Sequence, residues 1–180
     1  MPGRRRKPGT EKFADGSAAA TDPGRIRSSA VGLLARREHS TAELKDKLGS
    51  RGFDEEMTDE VLAELARKGL LSDERYVASF ISHHAARGQG PQRIRAGLRE
   101  AGVAGELVDR LLAEAGIDWV NVARTARQKK FKGLPTSYPE RAKQARFLQY
   151  RGFSQDQIRG AFGPDAGEFD ADLSALGSDE

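Results

Sequence analysis

The chain has 180 residues, long enough for one ordinary domain or a row of small repeats. With 37% apolar and 32% charged residues it is lean without being lean enough for wholesale disorder, and the lack of cysteine excludes a disulfide framework, a thiolate metal site and a cysteine nucleophile. The formal charge of +3 hides an asymmetry: residues 118–163 hold ten basic and three acidic side chains, residues 164–180 hold six acidic and no basic ones, and such blocks predict an electrostatic partner.

Residues 1–24 are rich in Gly, Pro, Ala and charge, including the run Arg4-Arg5-Arg6-Lys7, and predict a disordered basic arm. A first helix is expected over about 28–38, with Ala30, Leu33 and Leu34 on one side. Ser40-Thr41-Ala42-Glu43 then reads as a capping box opening the second. Gly52 ends that helix, and Phe53 folds back onto it. Asp54-Glu55-Glu56 marks a third helix start, where carboxylates suit the dipole, and Met57, Val61, Leu62 and Leu65 form its buried stripe.

The pattern then repeats with a period of 50. Leu48, Leu98 and Leu148 coincide, as do Gly52, Gly102 and Gly152, followed by Phe53, Val103 and Phe153. Val61 matches Leu111 and Ala161; Leu62 matches Leu112 and Phe162; Met57 matches Leu107, but Gln157 is a polar departure beside Ile158. In the second unit Ser72 caps a helix bearing Tyr76, Val77, Phe80 and Ile81. It stops at Gly88-Gln89-Gly90, and Pro91 opens the next helix. In the third unit Trp119, Val122, Ala123 and Ala126 form a stripe, a loop surrounds Lys132-Gly133-Leu134-Pro135, and Pro139 starts another helix. Gly163-Pro164 then stops the pattern, and residues 164–180 predict a loose acidic tail.

The fold expected is therefore all-α: three tandem three-helix repeats over 25–71, 72–117 and 118–163. Strand periodicity is weak throughout. Units near the ~40-residue limit for independent stability need their neighbours, which predicts an elongated helical stack with room to curve.

Reactive chemistry is sparse in this pattern. His39, His83 and His84 lack the spacing of a metal site, and Gly88-Gln89-Gly90 has no preceding strand and no Walker lysine to make it a phosphate cradle. No nucleophile–base pair stands out, so neither an enzyme, a metal nor a cofactor is expected. No apolar run approaches the roughly 18 residues of a membrane span, so a cytoplasmic chain without a membrane partner is expected.

The basic residues carry the stronger signal. Arg93, Arg95 and Arg99 follow Pro91, with Arg95 and Arg99 on one side of that helix. Arg124, Arg127, Lys129, Lys130 and Lys132 crowd one helix end, which in part suits the dipole there. Lys143, Arg146, Phe147 and Tyr150 fall at i, i+3, i+4 and i+7. That stripe reads either as a binder of single strands or acidic surfaces, or as two aromatics packing on Trp119. These ten basic residues are the candidate partner-binding set.

Four stretches, LLARREHSTAELKDKLGSRG from Leu33, GLLSDERYVASF from Gly69, GPQRIRAGLREAGV from Gly90 and RAKQARFLQYRGFSQDQI from Arg141, resemble the RecX family of bacterial RecA regulators. The resemblance spans about 28–163. Ala101, where a basic residue is expected, and the Leu134-Pro135 loop depart from the family pattern. The resemblance implies an all-helical, modular and elongated protein that binds RecA and RecA–single-stranded DNA filaments, in their groove or at their growing end; a monomer is expected. It also implies suppression of strand exchange, ATP hydrolysis and coprotease action, and so a place in DNA repair and the SOS response. A rival reading is a direct DNA-binding protein whose three-helix units act like helix-turn-helix pairs, contacting single-stranded or duplex DNA. A passive helical scaffold is a third.

Overall fold

The computed structural model describes residues 18–163. The expected disorder of residues 1–17 and of the tail over 164–180 lies outside them. The described residues form nine α-helices and no strand: α1 (Pro23–Leu34), α2 (Thr41–Gly49), α3 (Glu55–Arg67), α4 (Asp73–Ala86), α5 (Pro91–Glu100), α6 (Gly105–Glu114), α7 (Trp119–Lys130), α8 (Tyr138–Tyr150) and α9 (Gln155–Phe162).

The start of the fold corrects the sequence expectation. Asp22 caps α1, accepting bonds from the Gly24 and Arg25 amides, and Pro23 supplies the first helical residue. Ala20 is buried, and its carbonyl accepts the Asp54 amide at 3.0 Å. Residues 20–24 thus belong to the folded body, not to an arm, and α1 ends at Leu34 rather than near 38.

The period of 50 has a physical basis in each copy. Leu48, Leu98 and Leu148 are fully buried. Gly52, Gly102 and Gly152 all take the left-handed backbone (φ 85, 71 and 86). Phe53 and Phe153 return amide bonds to the Leu48 and Leu148 carbonyls and bury their rings, and Val103 is buried likewise. Gln157, the polar departure, is the reciprocal half of a capping box: its amide bonds the Ser154 hydroxyl while its side chain accepts the Ser154 amide. Ile158 beside it is buried. At Ser40 only half of the expected box forms. The hydroxyl accepts the Glu43 amide, but the Glu43 carboxylate pairs with Arg37 and lies beside His39.

Two compact units emerge. One holds α1, α2, α3, the start of α4 to Val77, and Ala101–Val103. Its core packs Ile26, Ala30, Leu44, Leu48, Phe53, Val61, Leu62, Leu65 and Leu71. The other holds α4 from Ala78, α5, α6, α7, α8 and α9. Its α7–α9 part is built on Ala123, Leu148, Phe153, Ile158 and Phe162, while Ile81, Ile94, Leu98, Val108 and Leu112 bury the inner faces of α4–α6.

Within this second unit the three-helix set α4–α6 is fastened to α7–α9 through bare backbone. The Gly90 amide donates to the Arg151 carbonyl at 2.7 Å, and the Gln92 amide to the Gly152 carbonyl at 3.0 Å. Only glycine allows this approach, because a Cβ on Gly90 would overlap the Gly152 carbonyl and reach within 2.6 Å of the Phe153 amide nitrogen.

Candidate anion-binding surface

The second unit carries all ten candidate basic residues, and its folding sorts them. On α5, Arg93, Arg95 and Arg99 are exposed. Arg93 donates to the Tyr150 carbonyl at 3.1 Å, and Arg95 pairs with Asp109 of α6 at 2.6 Å. On α7, Arg124 donates to the Gly160 carbonyl at 3.2 Å and so serves the end of α9. Lys129, Lys130 and Lys132 are exposed.

Arg127 is a correction. It is only 4% exposed, bonds Gln144 Oε1 and the Gly133 carbonyl, and stacks its guanidinium over Phe162 at 5.5 Å. Burial, and then the neighbouring Arg124 charge, pull it below the usual guanidinium range. It is a strut of the core rather than a surface contact. The sequence placed it with its neighbours because basic residues at a helix end look alike until the packing face is fixed.

The aromatic stripe on α8 divides in the same way. Phe147 packs against the core and meets Phe131 edge-on, with centroids 5.4 Å apart, whereas Tyr150 is 78% exposed. Lys143, Arg146 and Tyr150 therefore form the outward row, and only one of the two rings is offered to a partner.

Two concavities gather the charges. Lys130, Lys132 and Lys143 line one of about 470 Å³, together with Glu140 and Gln144. Thr136, through its amide first and then its hydroxyl, holds the Glu140 carboxyl below the usual range, so this concavity carries a fixed anion among its cations. The other, of about 320 Å³, is lined by Lys129 with Arg87 and Arg151. Neither Arg87 nor Arg151 stood out in the sequence. The available signal was the repeat itself: Arg151 occupies the position of Arg51 and Ala101, just before the turn glycine.

Among the described residues no group of three or more His, Asp or Glu side chains gathers as metal ligands would, and no helix is long and apolar enough to cross a membrane. His84 stacks on Phe80 at 3.9 Å and bonds Gln89. The arrangement defines an all-α protein of tandem three-helix domains whose accessible chemistry is cationic and interfacial.

Comparison with known proteins narrows that class. The models for the first, second and third three-helix domains of RecX match residues 27–65, 72–112 and 118–162 in order. The chain is 47% identical over 138 residues to the regulatory protein RecX of Ectopseudomonas mendocina, covering 76% of this chain and 92% of that one. It is 44% identical over 137 residues to the regulatory protein RecX of Halorhodospira halophila, covering 76% and 85%. The chain belongs to the RecX family. A crystal structure of RecX from Lactobacillus salivarius shares the fold, with a TM-score of 0.68 at 24% identity over 79% of this chain and 95% of that one.

Proposed function

We propose that this chain is a non-catalytic regulator that binds RecA and RecA–single-stranded DNA filaments and lowers recombinase, ATPase and coprotease activity. It does so by lying in the filament groove or by blocking the growing end. The observation that carries this reading is the ordered match of all three RecX domains, together with relatives named regulatory protein RecX over most of both chains. The surface supports it physically. Arg93, Arg95, Arg99, Lys129, Lys130, Lys132, Lys143 and Arg146 are exposed, and such a charge field draws in an acidic polymer and makes its capture salt-sensitive.

The test is RecA ATPase on single-stranded DNA titrated with the full chain. Inhibition at ratios far below one per recombinase identifies end blocking, and inhibition only near saturation identifies groove occupation. Unchanged hydrolysis at saturating folded protein refutes the reading. In the same assay, replacing Arg95 and Arg99 with Ala weakens inhibition. The Arg95–Asp109 pair is exposed and contributes no more than about 1 kcal/mol, so the double variant stays folded.

A further inference from the structure

The 320 Å³ cavity of the second unit is built from the end of α4, one face of α7 and the residue after α8. Its cations are Arg87, Lys129 and Arg151, and no acidic side chain lines it. Among the described residues none of the three forms an ion pair. Among the described residues their one polar side-chain partner is His83, whose Nε2 lies 3.3 Å from Arg87 Nη1. Three like charges round one concavity repel one another, and a bound anion relieves that repulsion.

Arg151 is also held in place. Its Nη1 donates to the carbonyls of Arg87 at 2.8 Å and Gly88 at 3.1 Å, and its guanidinium sits 4.9 Å over the Phe147 ring. Among the described residues Nε and Nη2 have no hydrogen-bond partner. An anchored guanidinium with two free donors is preorganised for an oxyanion. On α7, Asn121, Thr125 and Lys129 follow at i, i+4 and i+8 and add an amide and a hydroxyl to the rim, while Val122, Ala126 and Ala85 supply an apolar floor.

We propose that this cavity is a phosphate-binding site that takes the phosphoryl group of a nucleotide, with the nucleoside over the apolar floor. Three cations and two neutral donors exceed what the two oxygens and single charge of a carboxylate satisfy, whereas a phosphoryl group brings three oxygens and up to two charges. The volume lies at the lower end of the range for small-molecule sites, about 300–1,000 Å³. The terminal phosphoryl group of a free nucleotide meets the demand of these donors best; a strand's backbone phosphodiester brings two oxygens and one charge and fills the donors only in part, so it is the second source the test distinguishes. The site does not depend on the recombinase reading, since its test needs no recombinase.

The test is amide NMR of the labelled full chain at constant ionic strength, titrated with ADP and, separately, with an oligothymidylate lacking terminal phosphates. Saturable shifts are expected at Gly88, Asn121 and Thr125. Replacing Arg87 and Lys129 together with Ala should weaken binding about tenfold or more, equivalent to about 1.4 kcal/mol. Arg67→Ala, an exposed cation of the first unit outside the cavity, leaves affinity nearly unchanged. If the oligothymidylate displaces ADP, the phosphate is a strand's; if ADP binds and is not displaced, it is a free nucleotide's. The proposal is overturned if neither probe gives saturable shifts, if Arg67→Ala weakens binding as much as the double variant, or if a polyglutamate peptide occupies the cavity more tightly than both.

Discussion

His39 is 3% exposed, with Nδ1 3.1 Å from Glu43 Oε2 but without the alignment of a good hydrogen bond. Burial is the main influence, and it holds the imidazole below its usual range against the opposing pull of Glu43, with Arg37 and Lys47 adding to the depression. The unfolded chain takes up this proton near its ordinary value of about 6.5, and the folded chain only at lower pH. In that window the unfolded state binds more protons, so stability falls as pH drops below about 6.5 and levels off beneath the folded value. The nearby carboxylates do not obscure the effect. Against the opposing effect of burial, Arg37 holds Glu43 below its usual range, and elsewhere in the unit Lys68 and then Arg27 hold Glu64 down to about 2. Urea unfolding of the native chain is expected to show a lower midpoint at pH 5.5 than at pH 7.5, with the difference reduced in His39→Gln. Equal differences in the two proteins would contradict the assignment. At this scale the sequence is least legible. Nothing in HSTAE tells that the histidine is buried, just as nothing in ARTARQKK separates core Arg127 from exposed Lys129. Each depends on which face a neighbouring helix covers.

The helices themselves are written plainly, because their start and stop signals are local. Ser40, Asp54, Ser72 and Ser154 all accept amide bonds as caps, and the turn glycines take the left-handed backbone they were assigned. Structure and sequence expectation differ at Asp22-Pro23, where a local cap and helix start lie within a charged, Gly- and Pro-rich stretch. Contacts between helix sets are less legible, since a glycine required for left-handed geometry and one required for close approach look the same. Gly90 illustrates this. Replacing it with Ala forces the Gly152–Phe153 backbone away and strains the two amide bonds across the junction. Overpacking of about 1–3 kcal/mol and two bonds of about 0.5–1.5 kcal/mol each predict a loss of roughly 2–6 kcal/mol. Gly105→Ala is the control. Nothing lies within 4 Å of its added Cβ, its φ is not left-handed, and its expected effect is neutral to about 1 kcal/mol stabilising. Urea denaturation of both variants measures the contrast, and similar stabilities would show that the junction yields.

Across the whole molecule, charge is arranged in blocks that the sequence displays directly, while the folded residues decide which charges a partner reaches. The six acidic side chains of residues 164–180 lie outside the described structure, but the chain tethers them to a unit whose exposed cations include Lys129, Lys130, Lys132, Lys143 and Arg146. A tethered polyanion competes with any acidic partner at a high effective concentration, and the competition weakens as salt screens it over about 10 Å at 0.1 M. Under the proposed function, deleting residues 164–180 is therefore expected to tighten binding to RecA–single-stranded DNA filaments several-fold at low salt, with the gain vanishing at high salt. Fluorescence anisotropy of a labelled filament, titrated with both forms at several salt concentrations, reads this directly. Equal or weaker affinity of the shortened chain at low salt would show that the tail does not cover the basic surface. A gain that persists at high salt would mean that the tail obstructs by bulk rather than by charge.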